Sequence, residues 1–278
     1  MKQFGRQFRL ELGSGTAGIA IDNLRVSWEI KKSSDPKPNP GKIRIWNMSR
    51  EHMNLLVSKQ YNRARLLVGY NELRQIYLGD IIRASAVRDN LDFITELECG
   101  DGDEAYKHSH VSLSLAAGTT DQQAFTELAK TMPGVLTGAA GFITKRKLPR
   151  GKVLSGNTRD HLTALAANHQ ADWSIQDGEL VMLPAKQVLP DEAVLLSEST
   201  GMIGSPEATD DGLEITSLVN PDLRIGGVVK VESIVTAYNG VFKITTIEYN
   251  GDLMGSNWYS KVTCIGGTFQ KVKHHGEQ

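Results

Sequence analysis

Gly212 to Val231, GLEITSLVNPDLRIGGVVKV, is the stretch whose reading decides the fold. Leu213 and Ile215 alternate with Glu214 and Thr216, and Val229 and Val231 flank Lys230. This two-residue period belongs to half-buried strands. Between the strands, Asn220-Pro221-Asp222 makes a stiff corner and Gly226-Gly227 a break. Proline fixes φ there, and glycine accepts backbone conformations that other residues avoid.

Beyond this stretch, Phe242 to Tyr249 and Trp258 to Cys264 also read as strands, the second with Trp258, Ser260, Val262 and Cys264 on one face. A change of phase across Thr245-Thr246 predicts a bulge. The tail Lys271 to Gln278 is expected to fray. On the N-terminal side, Val188 to Asp211 is poor in periodicity and rich in Ser, Thr, Gly and acid, so a long arm without regular structure is expected. Only four or five clear strands fall between Glu207 and Thr268. An open edge would leave backbone groups unpaired, so closure by the arm or by a neighbouring subunit is expected.

At the other end, Leu24, Val26, Trp28 and Ile30 alternate with Arg25, Ser27, Glu29 and Lys31. Ser33 to Gly41 holds Pro36, Pro38 and Pro40 and is expected as an extended arm able to reach a neighbour, before Ile43 and Ile45 resume the alternation. Ser49 is placed to cap a short helix carrying Met53, Leu56 and Val57. Strands are expected at Arg65 to Tyr70, Gln75 to Arg83 and Asp92 to Cys99. The result is a barrel-like first domain over residues 1–105, with roughly six strands, that ends in Gly100-Asp101-Gly102.

The middle, residues 106–188, reads as a small α+β domain. Thr120 with Gln123 forms a capping box ahead of Phe125, Leu128, Ala129 and Met132, and Pro133-Gly134 stops that helix. Thr158 starts a second helix with Leu162, Leu165, Ala166 and His169. Trp173 to Gln176 and Glu179 to Met182 flank Asp177-Gly178, a pair suited to a tight type I′ turn. The third domain spans residues 189–278. The fold class is thus mostly β (α+β), with two barrel-like domains flanking the middle one.

Composition excludes several functions. With 31 basic and 32 acidic residues the formal net charge is −1, so no global field favours nucleic acid or an anionic membrane. No apolar run approaches the length of a membrane span, no secretory h-region is expected at the N-terminus, and no stable membrane association is expected. Cys99 and Cys264 are too few for a disulfide framework and read as buried thiols made in a reducing cytoplasm.

Catalytic motifs are weak. Gly13 to Gly18 satisfies GxGxxG, but Ile19-Ala20-Ile21 continues as strand where a dinucleotide site needs a helix, so a hairpin or loop is expected. Of seven histidines, only His108 and His110 could share one side of a strand, and His274-His275 lie in the tail. None has ligand-spaced companions, so no metal and no cofactor are expected. No nucleophile elbow marks a serine; Glu127 lies on a plain helix and Asp210-Asp211 in a solvated loop. Lys145, Arg146, Lys147, Arg150 and Lys152 cluster around Pro149-Gly151, either as a solvated basic loop or facing phosphate or an acidic partner.

The strand, Asn-Pro corner, Gly-Gly, strand run at 212–231 resembles the C-terminal barrel of baseplate hub proteins from contractile-tailed bacteriophages. Asn23 to Ser49, NLRVSWEIKKSSDPKPNPGKIRIWNMS, is similar to the opening of such hubs, and Val241 to Cys264, VFKITTIEYNGDLMGSNWYSKVTC, extends the likeness. The resemblance implies a non-enzymatic virion subunit that forms a homotrimer, each subunit carrying two related tube-type barrels. Six barrels then match a hexameric tail tube, or a tube-initiator protein, on one side and leave a trimeric face for the tail spike on the other. Other baseplate proteins would pack around it, and phage DNA would pass through without specific binding. Pro36, Pro38, Pro40, Asn220, Pro221, Asp222, Gly226 and Gly227 are the candidate interface residues, with Trp46 and Trp258 as core or interface. Two other readings remain: a hub-associated peptidoglycan hydrolase, and a soluble carbohydrate- or peptide-binding module.

Overall fold

Alternating apolar residues become paired strands along most of the chain, of which the structure, a computed structural model, describes residues 5–15, 17–143 and 146–272. The first set is β1 (Gln7–Ser14), β2 (Ala17–Ile21), β3 (Val26–Ser33), β4 (Asn39–Trp46), β5 (Arg63–Gly69), β6 (Leu73–Asp89) and β7 (Asp92–Asp101). One helix, α1 (Arg50–Val57), interrupts them, and Ser49 caps it by accepting the His52 N–H. Seven strands replace the expected six. The GxGxxG run is a hairpin in which β1 and β2 pair down to Ser14 and Ala17, Thr16 lying outside the described residues.

The Pro-rich segment is not an extended arm. Five residues, 34–38, join β3 to β4, and Pro40 lies within β4 opposite Gly100 of β7, beyond the reach of β3. Its missing N–H therefore removes no bond to β3.

The middle segment contains α2 (Asp103–His108), β8 (His110–Leu115), α3 (Asp121–Ala129), β9 (Leu136–Ala140), β10 (Lys152–Asn157), α4 (Thr158–Asn168), β11 (Ala171–Gln176) and β12 (Glu179–Pro184). The capping box at Thr120 and Gln123 is formed, and Phe125, Leu128, Ala129 and Met132 are buried. The β11–β12 hairpin turns through Asp177 and Gly178, both at positive φ as a type I′ turn requires. His108 ends α2, so it does not share a strand with His110.

After β13 (Gln187–Val188) come β14 (Val194–Ser197), β15 (Glu207–Ala208), β16 (Gly212–Leu218), β17 (Val228–Glu232), β18 (Gly240–Asp252), β19 (Trp258–Gly266) and β20 (Gln270–Lys271). The 188–211 segment thus carries regular structure that its sequence conceals. Within it β14 pairs in parallel with β17, and Met202 bridges to Ser217 of β16. Lys271 is not frayed, because β20 pairs with β13; residues 273–278, with His274 and His275, lie outside the described residues. The bulge falls between Ile244 and Thr246.

Strands β1–β7 and β14–β19 form one 13-stranded sheet, from which the β13–β20 pair stands apart. The seam is β18 against β3, with Thr246 opposite Ser33 and Gly251 opposite Trp28. One apolar cluster runs through both sets, from Leu10, Ile43 and Leu66 to Ile215, Tyr249 and Val262. The middle segment has its own cluster, including Phe125, Leu162, Trp173 and Leu180. The fold is dominated by β-strands with a minor helical component.

Candidate functional site

The β3 alternation that buries Trp28 and Ile30 also turns Lys32 inward, where it is almost fully buried. A buried ammonium needs partners. Lys32 Nζ lies 2.5 Å from Asp177 Oδ2 in the β11–β12 turn and donates to the Ile76 carbonyl at 3.3 Å. Asp101, closing β7, accepts the backbone N–H groups of Asp177 at 2.5 Å and Gly178 at 3.1 Å. Asn39 Oδ1 accepts the Ser33 N–H at 2.9 Å, while its amide donates to the Ile175 carbonyl and Gln176 Oε1. Gln176 in turn donates to the Ser33 carbonyl. This polar junction fastens the middle segment to the β3–β4 turn. Asn39 and Asp101 carried no sequence signal, but a lysine in phase with Trp28 and Ile30 did.

Burial pushes the Asp101 carboxyl up to about 8, the Asp177 charge adding to the effect and Lys32 opposing it. An unfolded aspartate ionises near pH 4. The folded state therefore holds the extra proton between about pH 4 and 8, so this group's contribution to stability is full below that window and falls as pH rises through it. Asp101→Asn should flatten the decline, measured as unfolding midpoints across that pH range.

The predicted interface residues fall in two places. Pro36 and Pro40 are exposed and Pro38 is half-buried. At the corner, the Asn220 side chain accepts the Asp222 N–H at 3.0 Å, and the Ser260 hydroxyl accepts the Asn220 N–H at 3.1 Å. Asp222 pairs with Arg74, and Tyr249 donates to the Leu223 carbonyl at 3.0 Å. Asn220, Pro221 and Asp222 are half-buried, whereas Gly226 and Gly227 are buried within the chain. Gly226 has φ +78°, and a Cβ there would lie 2.3 Å from Leu183 Cδ1. Pro221 lines a cleft of about 340 Å³ with Lys32, Ile76, Asp177, Leu223 and Arg224. Trp258 is fully buried; Trp46 is half-buried under the Arg25 guanidinium, 4.4 Å from its ring centroid.

Sequence reasoning missed two exposed apolar tips. The β6–β7 hairpin ends at Leu91, 89% exposed, beside Val87 and Phe93, and the β17–β18 connection carries Ile234, 92% exposed, beside Val235.

Catalytic geometry is sparse. The closest His–carboxylate pair among the described residues, His169 Nε2 to Asp121 Oδ2 at 2.9 Å, lies buried against the Phe142 ring. Cys99 and Cys264 are free and buried, each thiol pushed up to about 12 chiefly by burial. Among the described residues no group of three or more His, Cys, Asp or Glu could hold a metal ion.

A family model described as Baseplate hub gp41 matches residues 8–264. No curated protein matches the chain by sequence. Solved structures share the fold, among them three tail or secretion-system proteins. A tail protein from Neisseria meningitidis MC58 aligns with TM-score 0.66 at 12% identity, covering 95% of this chain and 97% of that one. The 43 kDa tail protein of prophage MuSo2 from Shewanella oneidensis gives 0.62 at 9% identity, covering 94% and 98%. The E. coli c3393 protein, a component of the type VI secretion system with structural similarity to the T4 bacteriophage tail proteins gp27 and gp5, gives 0.57 at 10% identity, covering 96% and 79%.

Proposed function

The chain belongs to the Baseplate hub gp41 family, and on that premise we propose that three copies form a ring adapting a trimeric spike to a hexameric tail tube. Its role is structural, within the tail baseplate. Each subunit contributes two tube-type lobes, one from β1–β7 and one from β14–β19, so that three chains present six. The carrying observation is the β18–β3 seam, which holds the two strand sets as one sheet with a shared core. Lobes fixed in this way keep a constant angular step around a ring.

The C-terminal lobe closes within its own chain in this reading. Support comes from the 194–203 segment, which pairs with β17 at one end and hydrogen-bonds to β16 at the other, Ile203 N–H to the Thr216 carbonyl at 2.8 Å. The divisions 1–105, 106–188 and 189–278 then separate lobe, middle domain and lobe. The exposed Pro36 and Pro40, the Asn220 corner and the Leu91 and Ile234 tips face other subunits, the spike or the tube. The subunits are made in the host cytoplasm, and DNA passes through the ring without specific contacts.

End-on electron-microscopy class averages of the chain co-expressed with its spike test this arrangement. Six similar lobes in a threefold ring are expected, and rings of three lobes would contradict it.

A further inference from the structure

We propose that the face of the middle segment formed by α4, β10 and residues 146–151 docks an acidic protein segment carrying one apolar anchor residue. Arg146, Lys147, Arg150 and Lys152 are all exposed there, and none is ion-paired among the described residues. Exposed cations elsewhere are either paired, as Arg65, Lys107 and Lys130 are, or stand singly, as Arg50, Lys59, Arg83 and Lys186 do, whereas these four fall within residues 146–152. Lys147 and Leu148 are also held in place. Leu148 donates to the Thr119 carbonyl at 2.9 Å and accepts from the Gly118 N–H at 2.8 Å, beside the Lys147–Thr120 bridge. Four cations on a pinned backbone lose less entropy on binding an anionic partner.

Arg146, Lys152 and His161 rim a small pocket of about 60 Å³ whose floor is Leu128, Leu154 and Leu165. Asp121 lies in its wall, but its carboxylate is engaged by His169. A phosphate backbone would satisfy the cations and leave the apolar floor uncovered. No Phe, Tyr or Trp lines the pocket to stack a base or a sugar ring. A leucine or methionine flanked by Asp or Glu satisfies both features at once: the side chain covers the floor and the carboxylates meet the rim. The surface lies apart from the strand lobes, so the proposal stands or falls independently of the ring.

Fluorescence anisotropy with the full chain tests it, using a short labelled peptide with one leucine among glutamates, the same peptide with that leucine replaced by serine, and a duplex DNA. The leucine peptide should bind, with affinity falling as salt rises. Replacing its leucine, or introducing Arg146→Glu with Arg150→Glu, should weaken binding about tenfold, roughly 1.4 kcal/mol. Ala164→Glu, at an exposed helix position lining the pocket, should do the same without touching the loop. Equal binding of the serine peptide, tighter binding of DNA, or no binding of the leucine peptide would each overturn the proposal.

Discussion

Trp258→Ala is expected to destabilise the protein by about 3–5 kcal/mol, the usual cost of deleting a buried tryptophan. At this size that lowers the thermal midpoint by roughly 10 °C. Trp258 is fully buried on β19, where its ring meets Trp28 of β3 edge-on at 5.3 Å between centroids. Its indole N–H donates to the Tyr70 hydroxyl at 3.1 Å, and Tyr70 donates to the Val219 carbonyl at 3.0 Å. Truncation opens a cavity where the two strand sets meet and removes the donor to Tyr70. Trp258→Phe keeps much of the volume and loses the donor with a few ring atoms, so a smaller loss of about 1–2 kcal/mol is expected. Calorimetry on both variants separates packing from hydrogen bonding. Equal, small losses would show that this contact does not hold the sets together.

Lys32→Met should cost about 3 kcal/mol, because removing one partner of a buried ion pair leaves the other charge uncompensated. The loss should concentrate at the junction with the middle segment, where Asp177 faces the vacated position and Asp101 holds the same turn. Hydrogen exchange should then speed up in β11 and β12 before β4 or β7. Asp177→Asn alone should cost at least as much, since it leaves the Lys32 ammonium, its side chain 4% exposed, without its carboxylate, whereas the Asp177 side chain is 26% exposed and partly solvated; asparagine tolerates the positive φ, so the backbone adds little. The double variant should recover part of the Lys32→Met loss, with a coupling of about 1 kcal/mol or more in a double-mutant cycle. Strict additivity would contradict the pairing.

What the sequence disclosed follows from how local each signal is. Leu213, Ile215, Val229 and Val231 announce their strands because one face is buried and the other wet. The capping box and the Asp177-Gly178 turn are equally local, and both formed as expected. Elements fixed by distant partners stayed hidden. β14 is held by β17, more than thirty residues later, and β20 by β13, about eighty residues earlier. The outer end of β6 was missed because Ala84 to Asp89 pairs with β7 on an exposed hairpin, without the apolar alternation that burial imposes. The same limit applies to the candidate surfaces: the Pro-rich and Asn-Pro segments stand out by composition, but the bonds from the Asn39 amide and to the Asp101 carboxyl form only when the middle segment folds onto the sheet.

The central claim, three chains supplying six lobes, is tested most directly by molar mass in solution from light scattering, for the chain alone and co-expressed with its spike. Three copies of the 30.5 kDa chain give about 90 kDa, and a trimer of that mass, alone or only with the spike, is the predicted result. A monomer under both conditions would contradict the account.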